Sequence, residues 1–174
     1  MSKRIGEILV EKKVLKEDQV QQIIAHSLAH NLSFGDAGAD LGLLSREKLV
    51  RSLGPSFSAD WFDLQPQYLP KSTQELFSTD EMIEYGVIGL GVKKGYGFFK
   101  SSRLNLGMVN PENKSALEKV VARLPAEYKK TKVFLVPADR FIETLEKVFG
   151  VRRSVLAGME PSKINPMLSL FLDR

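Results

Sequence analysis

The 174-residue chain contains no cysteine, which excludes disulfides, a thiol nucleophile and a cysteine-ligated zinc site. It has only two histidines, His26 and His30, four residues apart. Serine at position 27 breaks the H-E-x-x-H pattern, no third histidine is available, and a surface or half-buried pair is the expected reading. No stretch approaches the roughly 18 consecutive apolar residues of a membrane-spanning helix, so membrane insertion is not expected. The opening MSKRIGEILVEKK brackets a very short apolar stretch with charges and lacks a secretory-signal pattern. Cytoplasm is the expected compartment.

A dominant charge is missing too. The net charge is +4, but residues 1–58 carry 8 basic and 7 acidic side chains, 59–150 carry 13 and 12, and 151–174 carry 4 and 2. A phosphate-tracking surface needs clustered Lys and Arg with few acids nearby. Lys93, Lys94, Lys100 and Arg103 form the best local group, and a solvated mixed-charge surface is the better account of it. Nucleic acid is not an expected partner.

No G-x-x-x-x-G-K-[ST] occurs, so nothing supplies a phosphate-cradling loop with its lysine and Mg²⁺-binding hydroxyl. "GLGVKKGYG" at 89–97 is glycine-rich but reads as strand and turn, without G-x-G-x-x-G spacing. No Ser, His and acid constellation can be assembled either. An enzyme is not expected.

What is present is a repeat. "RIGEILVEKKVL" at 4–15 returns as "SFGDAGADLGLL" at 33–44, an offset of 33 − 4 = 29 residues. Gly35 stands for Gly6, Phe34 for Ile5, Leu43 for Val14 and Leu44 for Leu15. Val20, Ile24, Ser27 and Leu28 align onward with Leu49, Leu53, Ser56 and Phe57. Agreement at apolar and glycine positions, with free variation between them, indicates two copies of one structural unit. Each copy reads as two short helices: Ile5, Ile8 and Leu9 make one face, and Val20, Ile23, Ile24 and Leu28 continue the period. Ser45 is the expected N-cap in the second copy.

After Pro55 the texture changes. Trp61, Phe62, Leu64, Tyr68 and Leu69 form an aromatic and apolar connector broken by Pro66 and Pro70. Ser78 to Glu81 has capping-box spacing before a helix. Val87–Val92 and Arg103–Val109 read as strands of a hairpin through "KKGYG", with Phe98 and Phe99 as an extension. Ser115 and Glu118 suggest another capping box, "KVFLVP" at 132–137 a third strand, and Asp139 the cap of a helix closed by Gly150. Near the end, Asn165 with Pro166 reads as the start of a short helix carrying Met167, Leu168, Leu170, Phe171 and Leu172. That apolar cluster fits either docking onto the chain's own core or a partner-binding segment. The expected fold class is α+β: a helical tandem-repeat subdomain at 1–58, a small α/β sandwich-like subdomain at 59–150, and a C-terminal extension at 151–174.

Arg-Ile-Gly-x-x-Leu-Val at Arg4 to Val10, followed by Val14, Leu15, Val20 and Ile24, resembles the tandem motif of the N-terminal MshEN (GspE N-terminal-like) domains of type II secretion and type IV pilus assembly ATPases. "WFDL", "YLP" and "LGMVNPEN" are similar to that family's second half, so the resemblance spans roughly residues 3–150. It implies a non-catalytic docking or regulatory module acting by protein–protein interaction with a component of a secretion, pilus or related motor system. The alternative it implies is a cyclic di-GMP receptor, with motifs at 4–27 and 33–56 joined by the spacer Leu28–Leu32. No cofactor or metal is expected beyond that regulatory ligand.

On the resemblance, Arg4, Gly6, Leu9 and Val10 form the first half-site and Gly35, Gly38 and Ala39 remain of the second. A guanidinium pairs with phosphate or forks onto guanine, and glycine admits close backbone approach. The copies depart from the pattern where Ser33 stands at the Arg4 position, Ser27 and Ser56 replace the closing glutamine, Lys13 replaces a glycine that Gly42 keeps, and Gly38 and Ala39 replace an apolar pair. The same apolar residues also suit a purely structural role of holding the helices together.

Overall fold

The computed structural model describes residues 4–54, 58–95, 102–128 and 130–172. The first repeat folds as α1 (Ile5–Glu11) and α2 (Glu17–His30), the second as α3 (Phe34–Asp40) and α4 (Arg46–Leu53). α1 and α3 start 34 − 5 = 29 residues apart, and α2 and α4 start 46 − 17 = 29 apart.

The turns inside the repeats match bond for bond. The N–H groups of Val14 and Leu15 both donate to the Leu9 carbonyl, as those of Leu43 and Leu44 do to Gly38. Lys13 and Gly42 both occupy the left-handed region, at φ 56° and 65°. Leu15 and Leu44, and Val20 and Leu49, are buried at equivalent positions. Ser45 caps α4, its Oγ accepting from the Lys48 N–H at 3.2 Å. Ser56 and Phe57, the last pair members in the second copy, lie outside the described residues.

The repeat glycines explain how the helices close on one another. A Cβ on Gly6 would stand 2.6 Å from Val20 Cγ1, and one on Gly35 would stand 3.2 Å from Leu49 Cδ2. Each glycine thus lets the first helix of its repeat approach the second through the same partner position, 14 residues on (20 − 6 and 49 − 35).

The remainder is built on a four-stranded sheet, β1 (Asp60–Trp61), β2 (Val87–Lys93), β3 (Arg103–Met108) and β4 (Lys130–Leu135), in the order β1-β4-β3-β2. β4 runs parallel to both β1 and β3, while β2 and β3 are antiparallel. The sequence indicates three strands; β1 is a correction to the connector reading. Two residues are too few to show alternation, and Asp60 and Trp61 are strand because they find Phe134 and Leu135 opposite them. The tip of the β2–β3 connection, with Phe98 and Phe99, lies outside the described residues.

Helices α5 (Lys71–Gln74) and α6 (Thr79–Tyr85) precede β2, α7 (Lys114–Arg123) joins β3 to β4, and α8 (Ala138–Lys147) follows β4. The Ser78–Glu81 capping box forms as expected. Two other caps differ. Asn113, not Ser115, caps α7, its Oδ1 accepting from the Ala116 N–H at 3.1 Å, so the helix starts earlier. Asp139 sits in the first turn of α8 after Pro137, and its Oδ2 accepts from Arg46 Nε at 3.0 Å. A tertiary partner takes the carboxylate that local spacing assigns to a cap.

α9 (Arg153–Ala157) and α10 (Pro166–Leu172) finish the described chain. Asn165 is buried, its Oδ1 accepting from the Met167 N–H at 2.9 Å while its own N–H donates to the Ile83 carbonyl at 2.9 Å. Met167, Leu168 and Phe171 join a single apolar core that runs from Leu9, Leu44 and Leu49 through Leu104, Leu106 and Met108 to Phe141 and Leu145. The C-terminal cluster is docked within the molecule. The fold is α+β, as the sequence indicates.

Candidate functional site

The cleft of interest is a cavity of about 530 Å³ opening between the two repeats and the C-terminal segment. From the first repeat come Arg4, Gly6 and Ile24; from the second Ser33, Phe34 and Gly35. α8 contributes Asp139, α9 contributes Arg153, and α10 contributes Leu170 and Phe171. Its volume falls in the usual range of small-molecule sites, roughly 300–1,000 Å³.

Local structure fixes the two repeat contributions. Arg4 stands just before α1 in extended conformation, and its backbone N–H donates to Glu7 Oε2 at 3.1 Å. Ser33 holds the equivalent place before α3, its Oγ accepting from the Asp36 N–H at 3.0 Å and donating to Asp36 Oδ2 at 2.7 Å. Ser33 is thus an N-cap, whereas Arg4 leaves its guanidinium for other use. Ser27 donates to the Leu32 carbonyl at 2.6 Å, which tightens the exit from α2 beside the left-handed Asn31.

Behind the cleft, Arg46 ties the second repeat to α8. Its guanidinium pairs with Asp36 Oδ1 and, through Nε, with Asp139 Oδ2. Arg140 Nη2 lies 3.5 Å from the same Asp36 oxygen and its Nη1 bonds Glu143 Oε2 at 2.5 Å. Burial pushes the Asp36 carboxyl up, but the Ser33 and Arg46 hydrogen bonds and the Arg46 and Arg140 charges outweigh it and hold the group below its ordinary value. Arg46 is likewise penalised by burial yet held more firmly protonated by Asp139 and Asp36. Asp139 therefore presents to the cleft a carboxylate already paired with a cation.

Of the sequence-derived site residues, the cleft gathers Arg4, Gly6 and Gly35. Leu9 is wholly buried in the core, and Val10 is half-buried against it. Gly38 is buried, facing Leu44 and Ile23. Ala39 is exposed and lines a separate shallow depression with His30, Leu32, Asp36 and Asp40. There His26 Nε2 meets Asp40 Oδ2 at 2.5 Å, and the two histidine rings lie 4.3 Å apart. Among the described residues no three His, Cys, Asp or Glu side chains are placed to hold a metal ion, and no helix is long and apolar enough to cross a membrane.

Arg153, Asp139, Leu170 and Phe171 reach the cleft from 139 − 57 = 82 to 171 − 57 = 114 residues beyond the last aligned residue of the repeats. No local pattern marks them, because only the docking of α8 to α10 against the repeats brings them there.

No family model matches the chain, and no curated protein matches it. Among solved structures, it is similar to MshE with cdg, at 20% identity and a TM-score of 0.45, over 84% of this chain and 99% of that one. It is also similar to the N-terminal domain of XpsE, at 17% identity and a TM-score of 0.43, over 84% of this chain and 97% of that one.

Proposed function

We propose that the chain is a non-catalytic docking and regulatory module that engages a protein component of a secretion, pilus or related motor system through α2. The observation that carries this reading is the face of α2 at the cleft rim. Leu28 is 79% exposed and Ile24, one turn earlier, is 38% exposed. Single exposed apolar residues are ordinary, but these two are neighbours on one helical face and both border the cleft. Burying them against a partner would contribute a few kcal/mol at about 25 cal/mol per Å² before ordering costs. The test is pairwise binding between this chain and the individual components of its own organism's secretion and pilus machinery. The expected result is a component that binds the unaltered chain and loses it with Leu28→Asp, while Tyr68→Asp, exposed elsewhere, retains it. Binding indifferent to Leu28, or no binding component, overturns the reading.

The second reading is a cyclic di-GMP receptor. Its support is that the repeats place Arg4, Gly6, Ser33 and Gly35 around one cavity. A guanidinium, hydroxyls and apolar walls suit a ligand with anionic phosphates and flat bases. Calorimetric titration with cyclic di-GMP should show binding that Arg4→Ala weakens at least tenfold. Absence of binding, or equal binding by the variant, overturns this second reading.

A further inference from the structure

The offset that matches the two repeats fails at the cleft in two places. Arg4 corresponds to Ser33, whose hydroxyl is engaged in capping α3. Gln21 corresponds to Val50 (21 + 29 = 50), which is buried in the core. The repeats therefore supply the cleft with one guanidinium and one amide, where two identical units would supply two of each. We infer that the cleft takes an asymmetric cyclic purine dinucleotide, one base guanine and the other adenine, with Gln21 as the residue that reads the adenine. The inference rests on the reading of the cleft as a cyclic dinucleotide site and changes its second base.

The two side chains suit different bases. Guanine offers two acceptors, O6 and N7, and a guanidinium donates to both. Adenine offers one acceptor, N7, and one donor, the N6 amino group, which a glutamine amide meets with an N–H and its carbonyl oxygen. Opposite guanine that carbonyl would face O6, acceptor against acceptor. Gln21 is the only side-chain amide among the described residues that line the cleft, and it is exposed. Ile24 and Leu28 follow it on α2 at i+3 and i+7, so the three form one stripe bordering the cavity. An apolar surface for the face of a base thus adjoins an amide for its edge. The neighbouring polar groups are engaged within the fold: Ser27 donates to the Leu32 carbonyl, and Asp139 pairs with Arg46.

The experiment is calorimetric titration of the full chain with cyclic di-GMP, cyclic di-AMP and the mixed cyclic GMP-AMP, using the unaltered protein, Gln21→Ala and Gln21→Leu. Position 21 is exposed, so neither variant should change the melting temperature. The expected result is that the unaltered chain binds the mixed ligand about tenfold or more tighter than either symmetric one. Both Gln21 variants should lose that preference and bind the mixed ligand about as weakly as cyclic di-GMP. Equal or tighter binding of cyclic di-GMP by the unaltered chain overturns the inference and leaves the cyclic di-GMP reading standing. Tightest binding of cyclic di-AMP, or a preference for the mixed ligand that survives in both variants, also overturns it. No binding of any of the three removes the reading of the cleft itself, and the inference falls with it.

Discussion

Lys13 occupies a left-handed backbone position that its counterpart Gly42 fills without strain. A side chain there costs roughly 1–2 kcal/mol relative to the right-handed region, and no Cβ contact within 4 Å constrains the equivalent Gly42. Lys13→Gly should therefore stabilise the fold by about 1 kcal/mol, less the extra backbone freedom that glycine brings to the unfolded chain. Urea denaturation measures this, and a destabilised variant would show that Lys13 contributes through its side chain. The opposite substitution, Gly42→Lys, should cost a similar amount. Sequence alignment of the copies exposes the Lys13 and Gly42 difference, but not that the position is left-handed. Gly6 and Gly35 are the reverse case: their recurrence is plain in the sequence, and their job, admitting Val20 and Leu49, is visible only once α1 and α3 are packed.

Between elements, the strongest polar tie is Arg46 with Asp36 and Asp139, which joins α3 and α4 to α8. Removing the cation in Arg46→Ala leaves Asp139 without its cation and Asp36 with Arg140 alone, at a cost of about 1–3 kcal/mol, read as a lowered midpoint in urea denaturation. The acid side of the same tie gives a pH dependence with a definite sign. The Asp36 carboxyl is held below its ordinary value of 3.8, so its contribution is present above that value and is lost as pH falls through the lower folded value. Thermal melts of the unaltered chain should lose stability on acidification from pH 5 toward about pH 3, and Asp36→Asn should start lower and lose less over that interval. An identical slope in both proteins would refute the assignment. The elements themselves were largely readable: the 29-residue offset predicts both helix pairs, and alternation finds β2, β3 and β4. β1 and the cap at Asn113 were not, since one depends on pairing with a strand 134 − 60 = 74 residues away and the other competes with an equally good local signal at Ser115.

Across the whole molecule, the C-terminal helix closes the core and walls the cleft at once. Met167, Leu168 and Phe171 are each nearly inaccessible, and burying such side chains stabilises by about 1.5–3 kcal/mol apiece before ordering costs. A chain ended after Gly158 should melt at lower temperature and bind a hydrophobic dye through the uncovered faces of α8 and α6. Unchanged melting would place α10 outside the cooperative unit. Half of the cleft was legible in the sequence, because the repeats carry Arg4, Gly6 and Gly35. The other half was not, because Arg153 and Phe171 have no pattern relating them to a motif near the opposite end of the chain.

β1 is also the home of Trp61, the chain's single tryptophan. Helix pairs close over short separations, whereas β1 joins the sheet only across a long loop, and loop-closure entropy delays such pairings. In refolding, the Trp61 fluorescence change is expected to lag the far-ultraviolet circular dichroism of the helices, and coincident changes would show that β1 pairs with β4 no later than the helices form. The molecule carries its own optical clock for the closing of its sheet.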